Sequence, residues 1–230
     1  TYANLGNFFC PNCGFKRPEL TYQVNAVTKM TPQSSEFVID GQLCHIDIGG
    51  MYNIYNALAA FAVGRTFDVS PEQISQAFAY DEKVFGRQEV IQLGAKKLTL
   101  ILVKNPVGLN QVLSMIQTAK QPFGFAMLLN ANYADGIDTS WIWDGNFEEF
   151  VASKKAADYL VGGERYQDIA LRLKVAGVPE TKLTIKPDLG DVLTTLQEMP
   201  QQQLYVLATY TAMLQLRKKL SDGGYIKGGF

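Results

Sequence analysis

Two cysteines near the beginning of the chain have the spacing of a metal site. Cys10 and Cys13 are separated by two residues, and Gly14 follows them. A C-x-x-C turn brings two thiolates to one metal ion, because it directs both sulfurs inward and glycine supplies the backbone freedom. The pattern predicts a zinc knuckle within residues 1–20, with Cys10 and Cys13 as Zn²⁺ ligands. A redox pair or two unbound thiols is the alternative.

The sequence supplies only half of such a zinc site, because a structural zinc ion takes four ligands. Cys44 and His45 are the other candidates, but they lie in an alternating, strand-like segment. We therefore expect the chain to be a fragment of a longer protein whose upstream part carries a matching C-x-x-C. His45 is the only histidine. It is interpreted as a surface residue, which argues against a self-contained nucleophilic triad.

A second group of reactive side chains follows the apolar segment 124–130. Its three carboxylates are Asp135, Asp138 and Asp144. A loop beyond a parallel strand is where functional side chains reach outward, and the large rings of Trp141 and Trp143 suit an interface anchor. The alternative is that these acids cap turns or a helix start, as loop aspartates often do.

The elements that position these groups change character along the chain. The sequence predicts antiparallel strands over residues 22–27, 35–39 and 43–48. It predicts helices over residues 49–63 and 70–80. From there strands and helices alternate. The predicted strands are 98–103, 124–130, 159–161, 183–185 and 204–208, and the predicted helices are 109–120, 166–176, 189–199 and 211–220. This α/β pattern predicts a Rossmann-like second domain, 83–230, with a mostly parallel sheet and ligands at the carboxyl ends of its strands.

Composition excludes several classes of protein. With 47% hydrophobic and 19% charged residues, the chain can bury an ordinary core and is not disordered. A formal net charge of -1 provides no bulk attraction for nucleic acid or an anionic membrane. No apolar run approaches the roughly 20 residues of a membrane span, and no secretory signal opens the chain. Together with three cysteines, an odd number, this predicts a soluble, cytoplasmic protein.

Three motifs resemble the Mur ligase family. Residues 50–56, Gly-x-Tyr-Asn-x-x-Asn, resemble the helix that closes the central domain of these enzymes against the adenine of ATP. Gly86-Arg87 resembles the Gly-Arg element that begins their C-terminal domain. Lys104-Asn105-Pro106 resembles the end of their Asp-Tyr-Ala-His-Asn-Pro segment, with Ile101 and Lys104 in place of Asp and His.

This resemblance implies a central-domain remainder over residues 1–82 and ATP with Mg²⁺ as cofactors. Asn53, Asn56, Arg87 and Lys104 are the expected cofactor-binding residues. Each has a structural alternative. Asn53 could cap its helix, with the Asn56 side chain bonded to the backbone. Arg87 could be a solvated surface group, and Lys104 could be a solvated lysine before a turn.

Within the family, three features resemble the MurT subunits more narrowly. They are the cysteine knuckle and the segments 103–110 and 132–144. MurT proteins work with the glutaminase GatD to amidate the D-glutamate of lipid II in peptidoglycan synthesis, at the inner face of the membrane. No G-x-x-x-x-G-K-[ST] loop occurs in this sequence. We therefore expect the C-terminal portion of such a subunit, without the loop that holds the phosphates of ATP.

The resemblance also implies a role for the acidic cluster. GatD supplies a Cys and a His, and a carboxylate from the MurT C-terminal domain completes the glutaminase triad by orienting that His. Asp138 is the preferred residue because it lies at the tip of its loop, with Asp135 and Asp144 as alternates. Two rival hypotheses stay open: a fragment of a stand-alone Mur or folylpolyglutamate ligase, and a non-catalytic binding module with a ligase-like shell.

Overall fold

The structure is a computed structural model that describes residues 8–79 and 88–227. The predicted domain boundary between 82 and 83, and Arg87, lie outside the described residues and stay predictions.

A three-stranded antiparallel sheet and two helices form the first part of the chain. The strands β1 (Val24–Met30), β2 (Ser35–Ile39) and β3 (Gln42–Ile46) lie in the order β1-β2-β3. The helices are α1 (Met51–Thr66) and α2 (Pro71–Phe78). Asp40 and Gly41 both adopt positive φ, as a two-residue hairpin turn requires. Phe37, Ile54 and Phe61 pack between the sheet and the helices and are buried.

A six-stranded sheet forms the second part, in the order β4-β5-β9-β6-β7-β8. Its strands are β4 (Glu89–Leu93), β5 (Lys96–Leu102), β6 (Phe123–Leu128), β7 (Ala156–Gly162), β8 (Leu183–Ile185) and β9 (Gln203–Ala208). Every neighbouring pair is parallel except β4 and β5, which are antiparallel. The predicted α/β fold with a mostly parallel sheet is confirmed. The edge strand β4 was not foreseen.

Five helices cover this sheet on both faces. They are α3 (Pro106–Ile116), α4 (Phe147–Ala152), α5 (Tyr166–Val175), α6 (Leu189–Glu198) and α7 (Tyr210–Asp222). Side chains of α3, α4 and α5 share one buried apolar cluster, and those of α6 and α7 share the other. Short 3-10 turns lie at Ser140–Asp144 and Glu180–Lys182. Among the described residues, no helix combines the length and apolarity needed to cross a bilayer.

The strand order produces switch points, at which the helices after two neighbouring strands lie on opposite faces of the sheet. Strands β6 and β9 are neighbours, but the chain leaves β6 toward the face of α4 and leaves β9 toward the face of α7. Such a switch point opens at the carboxyl ends of the two strands and is where open α/β sheets place their ligands. The acidic loop, residues 131–146, begins at this point.

Candidate functional site

Two buried polar residues follow the carboxyl ends of β6 and β9. Asn130 follows β6 and Thr209 follows β9, and both are almost completely buried. The Asn130 N–H donates to Thr209 Oγ1 at 2.9 Å. The Asn130 side chain extends this contact, because its Nδ2 donates to Thr211 Oγ1 at 3.0 Å and its Oδ1 accepts from the Glu164 N–H at 2.9 Å. The carboxyl ends of β6, β7 and β9 are thus tied into one hydrogen-bonded network.

Asp135 is the buried acid of the loop and connects it to α7. Its Oδ1 accepts from the Thr211 N–H at 2.6 Å, and its Oδ2 accepts from the Thr211 hydroxyl at 2.6 Å and the Asn132 N–H at 3.0 Å. Thr209, at the N-cap position of α7, makes no side-chain capping bond. Asp135 therefore supplies the cap from a distant part of the chain, and its negative charge suits a helix N-terminus.

Asp138 is exposed at the tip of the loop. Gly136 turns the chain there with φ near 90°, and Asp138 Oδ1 accepts from the Ser140 N–H at 2.8 Å. Hydrogen bonds from the side chain and the backbone of Ser140 hold the pKa of Asp138 below its ordinary value. The loop therefore presents an ionised carboxylate to the outside, fixed at the start of the 3-10 turn.

Asp144 ends the same 3-10 turn and has an exposed side chain. Its carbonyl oxygen accepts from Asn110 Nδ2 at 3.1 Å, and Asn110 Oδ1 accepts from the Asn146 N–H at 2.7 Å. Helix α3 thus holds the far end of the acidic loop through Asn110. Of the three predicted carboxylates, Asp135 serves the fold, whereas Asp138 and Asp144 have side chains that a partner could reach.

The acidic loop exposes three large apolar side chains, on either side of Asp138 in the sequence. Tyr133 is 92% exposed, Ile137 is 72% exposed and Trp143 is 48% exposed. Trp141, in contrast, packs against the buried cluster of α3, α4 and α5. Large apolar side chains grouped on a surface are typical of interaction sites. We call Tyr133, Ile137 and Trp143 the apolar rim.

Three of the four predicted cofactor-binding residues, Asn53, Asn56 and Lys104, lie in the part of the chain that the structure describes. Asn53 is buried and its Nδ2 donates to the Gly49 carbonyl at 2.7 Å, whereas Asn56 is exposed on α1. Lys104 is exposed between β5 and α3. The neighbouring Asn105 accepts from the Gly108 N–H at 2.7 Å and caps α3.

Gln88, which sequence reasoning did not select, connects the two parts of the molecule. Its Oε1 accepts from the Gly49 N–H at 3.1 Å, and its Nε2 donates to the Gly49 carbonyl at 2.9 Å and to Tyr52 Oη at 3.0 Å. Gln88 has a φ of 56°, which is uncommon for a residue with a side chain. The start of α1 is therefore held by a residue that directly precedes β4.

The two cysteines lie in a tight hairpin, as their spacing predicts. Gly14 has a φ of 74°, and its N–H donates to the Cys10 carbonyl at 3.0 Å. Backbone N–H groups of Cys13 and Asn12 lower the pKa of Cys10. Over residues 8–79 and 88–227, no three His, Cys, Asp or Glu side chains group as metal ligands. The two thiols fit one half of a zinc site, and the ion itself stays a prediction.

Cys44 and His45 point to opposite faces of the first sheet. Cys44 is fully buried in the core, and burial raises the pKa of its thiol. His45 Nε2 lies 2.9 Å from Asp47 Oδ1 on the surface. The pairing of His45 with Asp47 on the surface agrees with the interpretation of His45 as a surface residue.

We predict that iodoacetamide distinguishes these thiols in the metal-free folded chain. Cys10 and Cys13 should be alkylated readily, whereas Cys44 should react roughly ten-fold or more slowly, because it must wait for local opening. Mass spectrometry of tryptic peptides measures both rates. Full alkylation of Cys44 at the rate of Cys13, without denaturant, would contradict the buried position.

Solved structures with this fold define the class of protein. The ligase MurC of Thermotoga maritima superposes with a TM-score of 0.66 at 10% identity and covers 89% of this chain and 46% of its own. MurF of Acinetobacter baumannii gives a TM-score of 0.66 at 18% identity, over 86% of this chain and 44% of its own. The chain therefore has the fold of the Mur-type ligases, and its six-stranded sheet is similar to their C-terminal domains.

Sequence comparisons show which Mur-type ligases this chain resembles in sequence. The MurT ligase C-terminal family matches residues 102–213. The lipid II isoglutaminyl synthase (glutamine-hydrolyzing) subunit MurT of Streptococcus pneumoniae strain R6 is 49% identical over 96% of this chain and 49% of that protein. The MurT subunit of Staphylococcus aureus strain COL is 30% identical over 97% of this chain and 50% of that protein.

Residues 102–213 thus match the MurT ligase C-terminal domain, and the chain as a whole is similar to one portion of the MurT subunits. It spans about half the length of the curated relatives it matches. The predicted resemblance is thus confirmed.

Proposed function

We propose that this chain acts within a glutamine- and ATP-dependent amidotransferase that converts the D-glutamate of lipid II to D-isoglutamine. Its part is to bind the glutaminase GatD and to supply a carboxylate to the partner's active site. The observation that carries the proposal is the ionised, exposed Asp138, held by Ser140 in an anchored loop that also exposes the apolar rim. The printed names of the MurT relatives support the reaction class.

The chemistry explains why two subunits are needed. A carboxylate is a poor electrophile, so transfer of the γ-phosphoryl group of ATP first converts the α-carboxylate of D-glutamate to an acyl phosphate. Ammonia then attacks the carbonyl carbon and phosphate leaves, which forms the amide. Ammonia free in neutral water is mostly ammonium and is not nucleophilic. A docked glutaminase delivers it unprotonated.

Asp138 would act through the histidine of the partner. In a glutaminase, a cysteine thiolate attacks the side-chain amide of glutamine, and a histidine passes the proton that lets ammonia leave. A carboxylate that accepts the other imidazole N–H fixes the tautomer and orientation of the ring. Asp138 is suited to this task because Ser140 already holds one carboxylate oxygen.

The apolar rim gives the partner a place to bind. Tyr133, Ile137 and Trp143 are exposed on the loop that carries Asp138, and aromatic anchors at the centre of an interface commonly contribute most of its binding energy. Covering these side chains would also exclude water from the carboxylate and strengthen its hydrogen bond to the partner. The same loop would thus both bind the glutaminase and supply the carboxylate of its triad.

ATP with Mg²⁺ would bind mainly outside this chain. The exposed Asn56 and Lys104 could contact the nucleotide or the substrate carboxylate, and Arg87 stays a predicted contact, whereas Asn53 is used at the start of α1. Another part of the complete subunit would hold the phosphates, and with them Mg²⁺. A second pair of cysteines there would complete a Zn²⁺ site with Cys10 and Cys13. The complete enzyme would work in the cytoplasm at the inner face of the membrane, where lipid II is made.

Mixing this chain with purified GatD tests the proposal. We expect a one-to-one complex by size-exclusion chromatography with light scattering, and glutamine hydrolysis faster than that of GatD alone by about ten-fold or more. A complex without acceleration would favour a non-catalytic binding module. No complex at all would favour a fragment of a stand-alone Mur or folylpolyglutamate ligase. Either of these results would overturn the proposal.

A further inference from the structure

We propose that Arg172 is a positioning residue for Asp138: it fixes the 3-10 turn whose first N–H, that of Ser140, holds the Asp138 carboxylate. This inference rests on the proposed function, because it assigns Arg172 a role in glutaminase turnover through Asp138. Arg172 lies on α5, the helix that follows β7, and it is distant in sequence from the loop it contacts.

Arg172 is a buried cation with a nearly complete set of partners. Its side chain is only 3% exposed. Its Nη1 and Nη2 donate to the two carboxylate oxygens of Glu148 at 2.7 and 2.8 Å. Its Nε donates to the Ile142 carbonyl at 3.2 Å and its Nη2 to the Gly145 carbonyl at 2.8 Å. Four of the five N–H groups of the guanidinium are therefore engaged by the loop and α4.

The flat faces of the guanidinium are occupied as well. The Arg172 Cζ lies 5.4 Å from the ring centroid of Trp143 and 5.2 Å from that of Phe147. These are cation–π distances, and Arg combines such stacking with forked hydrogen bonding in a way that Lys cannot. The pairing with Arg172 also holds the pKa of Glu148 below its ordinary value. Arg172 thus orients Trp143 of the apolar rim in addition to the backbone.

The 3-10 turn connects Arg172 to Asp138 directly. The carbonyls that Arg172 binds belong to Ile142, within the turn, and Gly145, which follows it. Asp138 accepts from Ser140, the first residue of the same turn. A turn of five residues is short enough that a shift at one end moves the other. Loss of Arg172 would therefore displace the carboxylate that the partner histidine needs.

The test uses the complete subunit in complex with GatD and compares Arg172→Met, Asp138→Asn and the double variant. We expect Arg172→Met to lower the kcat of glutamine hydrolysis about ten-fold in the complex saturated with GatD, with the KM for glutamine within about three-fold. The double variant should be no slower than Asp138→Asn alone, because one residue acts through the other. Arg172→Lys should fall between Arg172→Met and the unchanged protein.

Controls separate positioning from general stability. Lys174→Met changes a cation on the same helix, but Lys174 is exposed and pairs with the exposed Glu180, so kcat should be unchanged in this variant. If Arg172→Met does not fold, Glu148→Gln is the alternative variant. It weakens the hydrogen bonds that hold the Arg172 guanidinium and should lower kcat about three-fold.

Four results are decisive. Full activity of Asp138→Asn would overturn the proposed function. A slow Asp138→Asn with a fully active Arg172→Met, or a double variant whose losses multiply, would overturn this inference alone. The same holds if Arg172→Met weakens only the binding of GatD and leaves the kcat of the saturated complex unchanged.

Discussion

Asp138→Asn is expected to lower the kcat of glutamine hydrolysis by the assembled complex by a factor on the order of 10² to 10⁴. The substitution keeps the size and shape of the side chain. It replaces the carboxylate with a neutral amide, which presents either an N–H donor or a carbonyl oxygen to the partner. Facing an imidazole N–H, the amide would favour the wrong tautomer of the partner histidine. The chemical step should therefore slow without loss of glutamine binding.

The complex should still assemble in this variant, because Tyr133, Ile137 and Trp143 are untouched. Steady-state kinetics with an ammonia assay give kcat and KM, and analytical ultracentrifugation gives the affinity of the subunits. Since the pKa of Asp138 is held below its ordinary value by Ser140, the carboxylate is charged near neutral pH. The ratio of the two kcat values should therefore stay constant across the neutral range.

Two further variants make the assignment specific. Asp144→Asn changes the other exposed acid of the loop, and a comparable loss of kcat there would transfer the role to Asp144. Asp191→Asn changes an exposed acid in the first turn of α6, on the opposite face of the sheet, and should leave kcat unchanged.

Asp135→Asn is expected to destabilise the fold by about 2–4 kcal/mol. The Asp135 carboxylate accepts three hydrogen bonds, two on one oxygen and one on the other. An asparagine amide can be placed in two ways, and each directs its NH₂ group at an N–H or O–H donor. One or two buried donors would lose their acceptor. The N-terminus of α7 would also lose a negative charge.

Urea denaturation followed by tryptophan fluorescence measures this effect, because Trp141 and Trp143 both lie in the acidic loop. The Asp138→Asn variant is the matched control, since the same chemical change at an exposed position should leave the denaturation midpoint unchanged. An Asp135→Asn variant as stable as the unchanged chain would show that the carboxylate does not hold the loop on α7.

Sequence patterns predicted the second sheet well because buried parallel strands are short apolar runs separated by amphipathic helices. The helix that begins at Pro106 was placed three residues too late, although Asn105 is the cap type that helices favour. Strand β4 escaped notice because it pairs only along one edge and carries polar residues such as Gln92.

The three acids of the loop could not be ranked from spacing alone. Asp135 is buried because Thr211, 76 residues further along the chain, meets it at the start of α7. Such a contact depends on the strand order, which places β9 beside β6. The environments of the three acids therefore could be distinguished only once the strand order was known.

The sequence does contain one indication that Arg172 is buried. Arg172 lies three residues after Ile169 and beside Leu173, and so falls on the apolar face of α5. A cation on that face must find partners inside the protein. Two of them, at Ile142 and Gly145, are backbone carbonyls, and residue types do not reveal those.

A structure of the MurT and GatD assembly tests the central claim most directly. The measured quantity is the distance from each carboxylate of the acidic loop to the imidazole of the glutaminase. We predict that an oxygen of Asp138 accepts a hydrogen bond from the imidazole, at about 2.7–3.0 Å, with Tyr133, Ile137 and Trp143 covered by the partner. Asp138 in solvent, with the histidine bonded to another group, would contradict the account.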